Sequence, residues 1–159
     1  MKLIQDEIIV MAERIRVKLG LDAIKPYYST PYEFVTMLTK LKADVKYPFI
    51  FINSIGVRYG DKGMVTVPDI VVATRSDKNW SALERDTKSM KPFLIPIVDE
   101  FERQMRFSRE LRIQTVGEKV LHYFYGTSGI NGYEGVLFPD HVDAIQLINY
   151  KFRISNNCK

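Results

Sequence analysis

A chain of 159 residues, 46% hydrophobic and 26% charged, is long enough to bury one core and too short for two independent ones, so a single domain over 1–159 is expected, with 155–159 as a frayed tail. The net charge of +4 is compatible with an acidic or nucleic-acid partner, but acids are interspersed with the bases along most of the chain. Cys158 is the single cysteine, which excludes an intramolecular disulfide, and no apolar run approaches the ~20 residues of a bilayer span. Asp6 and Glu7 stand where a signal peptide needs apolar residues, so no membrane association and a cytoplasmic site of synthesis are expected.

Ile4, Ile8, Met11, Ile15 and Leu19 line one face of a helix that Gly20 stops. Lys25 to Tyr28 reads as an extended connector. Thr30-Pro31-Tyr32-Glu33 is a capping box with proline at the first helical position, opening a second helix to about Lys42 with Phe34, Met37, Leu38 and Leu41 inward. Tyr47-Pro48 ends that pattern, and Phe49 to Ile52 reads as a buried strand. Gly60 to Gly63 is a turn between the arms Ile55 to Tyr59 and Met64 to Arg75 of a hairpin; Pro68 predicts an edge segment or bulge there, with the strand proper at Asp69 to Thr74.

Ser81-Ala82-Leu83-Glu84 is a second capping box, and Leu83, Met90, Leu94, Ile97, Phe101 and Met105 continue one helical stripe. Pro92 and Pro96 interrupt it, so a kink or break near Lys91 is expected, with Pro92 starting a new helix. Arg103, Arg106, Arg109 and Arg112 recur every third residue toward the end of this long helix. After Gly117 come a strand at Lys119 to Tyr125, a glycine-rich surface loop at Gly126 to Gly135, and a final strand within Val142 to Ile154. In that strand Ile148, Tyr150, Phe152 and Ile154 alternate with polar residues. The order gives an α+β domain, a mostly antiparallel sheet with helices packed on one face.

The residue types that carry chemistry do not converge. His122 and His141 fall on different elements, and His122 reads as a strand histidine with a local hydrogen bond. Asp140-His141-Val142-Asp143 lacks the spaced further ligands of a metal site and reads as a turn into the last strand. Asp99, Glu100 and Glu102 flank apolar residues as a solvated helix face does, and Gly126 to Gly135 matches neither a phosphate loop nor a dinucleotide fingerprint. No catalytic, cofactor-binding or metal residues are expected. The four arginines admit two readings: complements to a helix C-terminus, or contacts to a phosphate backbone or acidic neighbour.

Lys46-Tyr47-Pro48-Phe49-Ile50, Val71-Val72-Ala73-Thr74, Asp77-Lys78-Asn79-Trp80, Glu84-Arg85, Lys91-Pro92, Pro96 and Val142-Asp143-Ala144-Ile145 resemble a group of small phage and prophage structural proteins of Bacteroidetes-type genomes. Pro26-Tyr27-Tyr28 and Pro31 to Leu38 resemble the same group. The order of elements is similar to that of tail-terminator and head-tail joining proteins. The resemblance implies a virion component without enzymatic activity and without cofactors, closing into a ring, commonly a hexamer, and meeting the tail tube end and the connector. Tyr59, Asp61, Lys62, Tyr133 and Glu134 are the expected interface residues, because the hairpin and the loop offer strand edges and aromatic surface. The alternatives are a nucleic-acid or small-ligand binding module using the arginines around Arg106, and an enzyme using His122 or Asp140 to Asp143.

Overall fold

The computed structural model describes residues 3–41, 47–125 and 140–155. The Gly126 to Gly135 loop, with Tyr133 and Glu134, lies outside the described residues, as do Lys46 and most of the expected tail. In chain order the elements are α1 (Ile4–Leu19), β1 (Lys25–Ser29), α2 (Pro31–Lys40), β2 (Phe49–Asn53), β3 (Arg58–Tyr59), β4 (Met64–Arg75), α3 (Ala82–Arg85), a π-helical stretch (Asp86–Leu94), α4 (Ile95–Phe107), β5 (Leu111–Thr115), β6 (Glu118–His122) and β7 (Val142–Ile154). The strands form one sheet in the order β1-β2-β4-β7-β5, with β3 also on β4 and β6 also on β7. Every pairing is antiparallel except β1 with β2. The architecture is therefore α+β with a mostly antiparallel sheet.

Alternation along the strands sorts the core into two layers. Ile50, Ile52, Ile70, Val72, Ile145 and Leu147 face α1, the π-helical stretch and α4. Phe49, Phe51, Val71, Ala73 and Ala144 face the other way, toward Phe34, Val35 and Leu38 of α2. The expected helical layer on one face is present, and the short α2 adds a cover on the opposite face. Phe34 anchors it, stacked on Phe51 at 4.1 Å between ring centroids and edge-on to Phe49 at 5.0 Å. Because Phe49 to Ile52 are covered on both sides, β2 reads as a continuous apolar run.

The Lys25 to Tyr28 connector is instead β1, a parallel edge strand whose Pro26 lies opposite Ile50. A proline on an edge costs no ladder bond, which is why this segment can be a strand despite it. Pro68 lies within β4, which runs unbroken from Met64 to Arg75; opposite β7, β4 is paired by β3 at Val65 and Thr66 and by β2 from Ile70 to Ala73, and Pro68 falls in the gap between them, a local edge. Its register with β7 is preserved on both sides, Val67 with Tyr150 and Asp69 with Ile148. Across that point the inward face switches from Val65 and Val67 to Ile70 and Val72, and on β7 from Tyr150, Phe152 and Ile154 to Ile145 and Leu147. Asn149, at φ 58, makes the matching turn on β7. Ile148 therefore does not share a face with Tyr150, as strict alternation predicts, and Leu147 takes its place.

Helix α1 ends as its sequence predicts, with Gly20 at φ 64 and the Leu21 N–H donating to Arg16 O at 3.0 Å. Its start has no side-chain cap from Leu3; the Tyr59 hydroxyl accepts from the Ile4 N–H at 3.2 Å instead. Tyr59→Phe should therefore cost about 1 kcal/mol in urea unfolding, the worth of one hydrogen bond to a helix terminus, with a native spectrum retained. Both capping boxes form, Thr30 with Glu33 and Ser81 with Glu84. Of the kink or break expected near Lys91, the break does not occur, and Pro92 does not open a new helix. The chain passes through the π-helical stretch with Pro92 inside it, and the Ile95 N–H reaches five residues back to Met90 O. Widening the helix there accommodates a residue without a donor, and Pro96 falls in the first turn of α4, directly after the π-helical stretch. Leu83, expected on the buried stripe, is exposed at the mouth of the helix.

Candidate functional site

The most buried polar cluster joins α3 to β7. Arg85, 1% exposed, donates from Nη1 to Asp143 Oδ1 at 2.8 Å and to Ser76 Oγ at 3.1 Å. Ser89 Oγ donates to the other Asp143 oxygen at 2.6 Å, and the Phe124 N–H reaches Oδ1 at 3.3 Å. The guanidinium lies over the Phe124 ring, 3.5 Å from its centroid. Each charge has a partner and neither faces a cavity, so this cluster fixes the helix on the sheet. Asp143 is thereby unavailable to its neighbours Asp140 and His141. The Tyr47 hydroxyl donates to Asp140 at 3.0 Å, and burial holds the Tyr47 phenol above its ordinary range. Among the described residues no group of three or more His, Cys, Asp or Glu side chains could hold a metal.

His122 sits on β6 with Nε2 2.9 Å from Gln146 Oε1, and the Gln146 amide donates to Asp69 at 2.9 Å. This is the local strand hydrogen bond that the sequence predicts. Of the acidic residues expected on a solvated face of α4, Asp99 is exposed, whereas Glu100 and Glu102 are buried and held by structural partners. Glu100 takes a two-pronged contact from Arg103, 2.6 and 2.8 Å, which holds its carboxyl down to about 2. Glu102 accepts from Lys119 Nζ at 2.7 Å and from the Tyr150 hydroxyl at 2.5 Å. Burial, then Glu102, push the Tyr150 phenol up.

The arginines expected at the end of one helix come to lie on three elements. Helix α4 stops at Phe107, where Ser108 turns the chain and its Oγ accepts from the N–H groups of Glu110 and Leu111 at 3.2 and 3.1 Å. Arg103 and Arg106 are on α4, Arg109 is in the turn, and Arg112 is on β5. Arg103 is taken by Glu100; the other three converge on one concavity of about 1140 Å³. Lys62 and Arg153 complete its lining, giving five cations and no acidic residue there. Lys62 arrives there because the tight turn Asp61–Gly63 rests on the end of β7; a Cβ on Gly63, at φ +75, would be 2.3 Å from Ile154 O.

The floor is formed where β5 pairs with β7, and there Arg112 stands directly opposite Arg153. Like charges across a ladder are unfavourable, and a helix dipole does not account for them, because neither residue is on a helix. Among the described residues none of the five cations is in a salt bridge. Phe107, 76% exposed, stands among them in the lining. Arg153 is missed by sequence reasoning because its alternation in β7 reads only as a solvated face. Lys62 is found for a different reason, as a hairpin residue.

Of the expected interface residues, Tyr59 is half committed to α1, while Asp61 and Lys62 are exposed on their turn. A second exposed feature lies at the sheet edge. β5 and β6 pair in line along the same side of β7, and no described residue pairs with their outer side. Val116, in the link between the two strands, and Leu121 of β6 are 41% and 54% exposed. No described helix is long and apolar enough to cross a membrane. Comparison with known proteins finds no matching family model, no matching curated protein and no matching solved structure.

Proposed function

We propose that this chain is a non-enzymatic assembly protein of a phage or prophage virion, a tail terminator or head-tail joining component that closes into a ring of its own copies. The observation that carries the reading is the open edge of β5 and β6, a long backbone ladder without a described partner, bearing Val116 and Leu121 in water. Such an edge is a template for pairing with a second chain, and a ring satisfies every edge by repeating one heterologous contact until it closes. The resemblance in the punctuation around Pro48, Trp80 and Pro96 supports the same reading. Synthesis in the cytoplasm followed by incorporation at the end of a tail tube or at the connector follows from it.

Native mass spectrometry across a concentration series tests the proposal. A closed oligomer of one defined size is expected, and Val116→Lys with Leu121→Lys should return it to monomer while leaving the far-ultraviolet spectrum unchanged. A wild type that remains monomeric at every concentration and does not associate with purified tail tubes overturns it.

A further inference from the structure

We infer that the concavity between the end of α4 and the β5–β7 floor is a nucleic-acid site that seats the phosphates of an unpaired strand on Arg112, Arg153, Arg109 and Lys62 and stacks a base on Phe107. This goes beyond the assembly reading and does not depend on it. The cross-strand pairing of Arg112 with Arg153 places two like charges side by side on one sheet face, which an isolated fold has no reason to keep and an anion between them relieves. Lys151, next but one along β7 and opposite Thr66 and Thr115, extends the same basic face. Five cations without an acid in the lining make an extended positive surface, too broad for one small anion and suited to a repeating charge.

Four of the five cations are arginine, whose fork matches phosphate or carboxylate oxygens in pairs, so the charges alone admit either anion. The exposed ring of Phe107 selects nucleic acid over an acidic protein, since it offers a flat apolar platform in the same lining as the guanidinium groups. A base in a duplex is not available to such a platform, so an unpaired strand is the occupant that uses every feature.

Fluorescence anisotropy with a labelled oligothymidylate of about 12 nucleotides tests this. Binding should weaken as salt rises, with a slope of about −2 to −3.5 in log K against log salt for three to five phosphates at about −0.7 each. Arg112→Ala with Arg153→Ala should weaken binding at least about tenfold and make the slope shallower by about 1.4, two phosphates fewer. The same variant should melt no lower than wild type, because it removes a repulsion; this readout separates a binding role from a structural one. Phe107→Ala should weaken binding by about fivefold or more with the slope unchanged, and an abasic strand should show the same loss with the wild type. Absence of binding at about 50 mM KCl overturns the inference, as does binding that the arginine variant leaves intact. Equal competition by polyglutamate overturns it in favour of an acidic protein partner, and equal binding of a duplex removes the base-stacking half.

Discussion

Asp143→Ala should lower the unfolding free energy by about 3–5 kcal/mol, the cost of leaving a buried guanidinium without its counter-charge. The carboxylate it removes holds Arg85, Ser89 and the Phe124 N–H at once, and Asp143 is fully buried. Water cannot replace it without opening the seam between α3 and β7. The ion pair itself is not where the stability comes from: desolvating both charges offsets most of their attraction. Replacing both partners, Arg85→Met with Asp143→Leu, should therefore recover most of the loss. Urea unfolding of the three proteins separates these contributions. A single variant within about 1 kcal/mol of wild type would mean that the pair carries no structural burden.

What the sequence discloses depends on how local the determining interaction is. Thr30 with Glu33 and Ser81 with Glu84 are recognisable because the whole device spans four residues. The stop at Gly20 and the buried β2 are legible for the same reason. Phe107 as the end of α4 is not, because arginines at three-residue spacing extend a helical pattern past Met105, the last buried position of α4. The alternation of Leu111 and Ile113 that marks β5 is only two residues deep. Pro92 disrupts a plain α-helix, and the π-helical accommodation depends on packing against β4 and β7 that no local rule contains. The basic concavity is the same kind of case: Lys62, Arg112 and Arg153 are distant in sequence, and only the β5–β7 register brings the two arginines face to face.

Gly117→Ala should cost about 3 kcal/mol or more, although glycine to alanine is usually mild. A Cβ at this position would lie 1.7 Å from Ile148 O and 2.8 Å from its carbonyl carbon, against an ordinary C···O approach of about 3.3 Å. The obstacle is backbone, so no side chain can rotate away. Gly117 joins β5 to β6 where β7 reverses its faces at Asn149 and β4 does so at Pro68, so four strands meet at one irregular point. The strand that must yield is the outer one, since β7 is held on its other side by β4. Hydrogen exchange should then show β6 losing protection while Ile70 to Ala73 of β4 keep theirs. Gly60→Ala is the matched control: its nearest neighbours stand 3.8 Å away, and its φ of −103 suits any residue. If the two variants unfold at the same urea concentration, the close approach at Gly117 does not constrain the fold. If Gly117→Ala alone also abolishes the closed oligomer in native mass spectrometry, the edge formed by β5 and β6 is the surface on which copies meet.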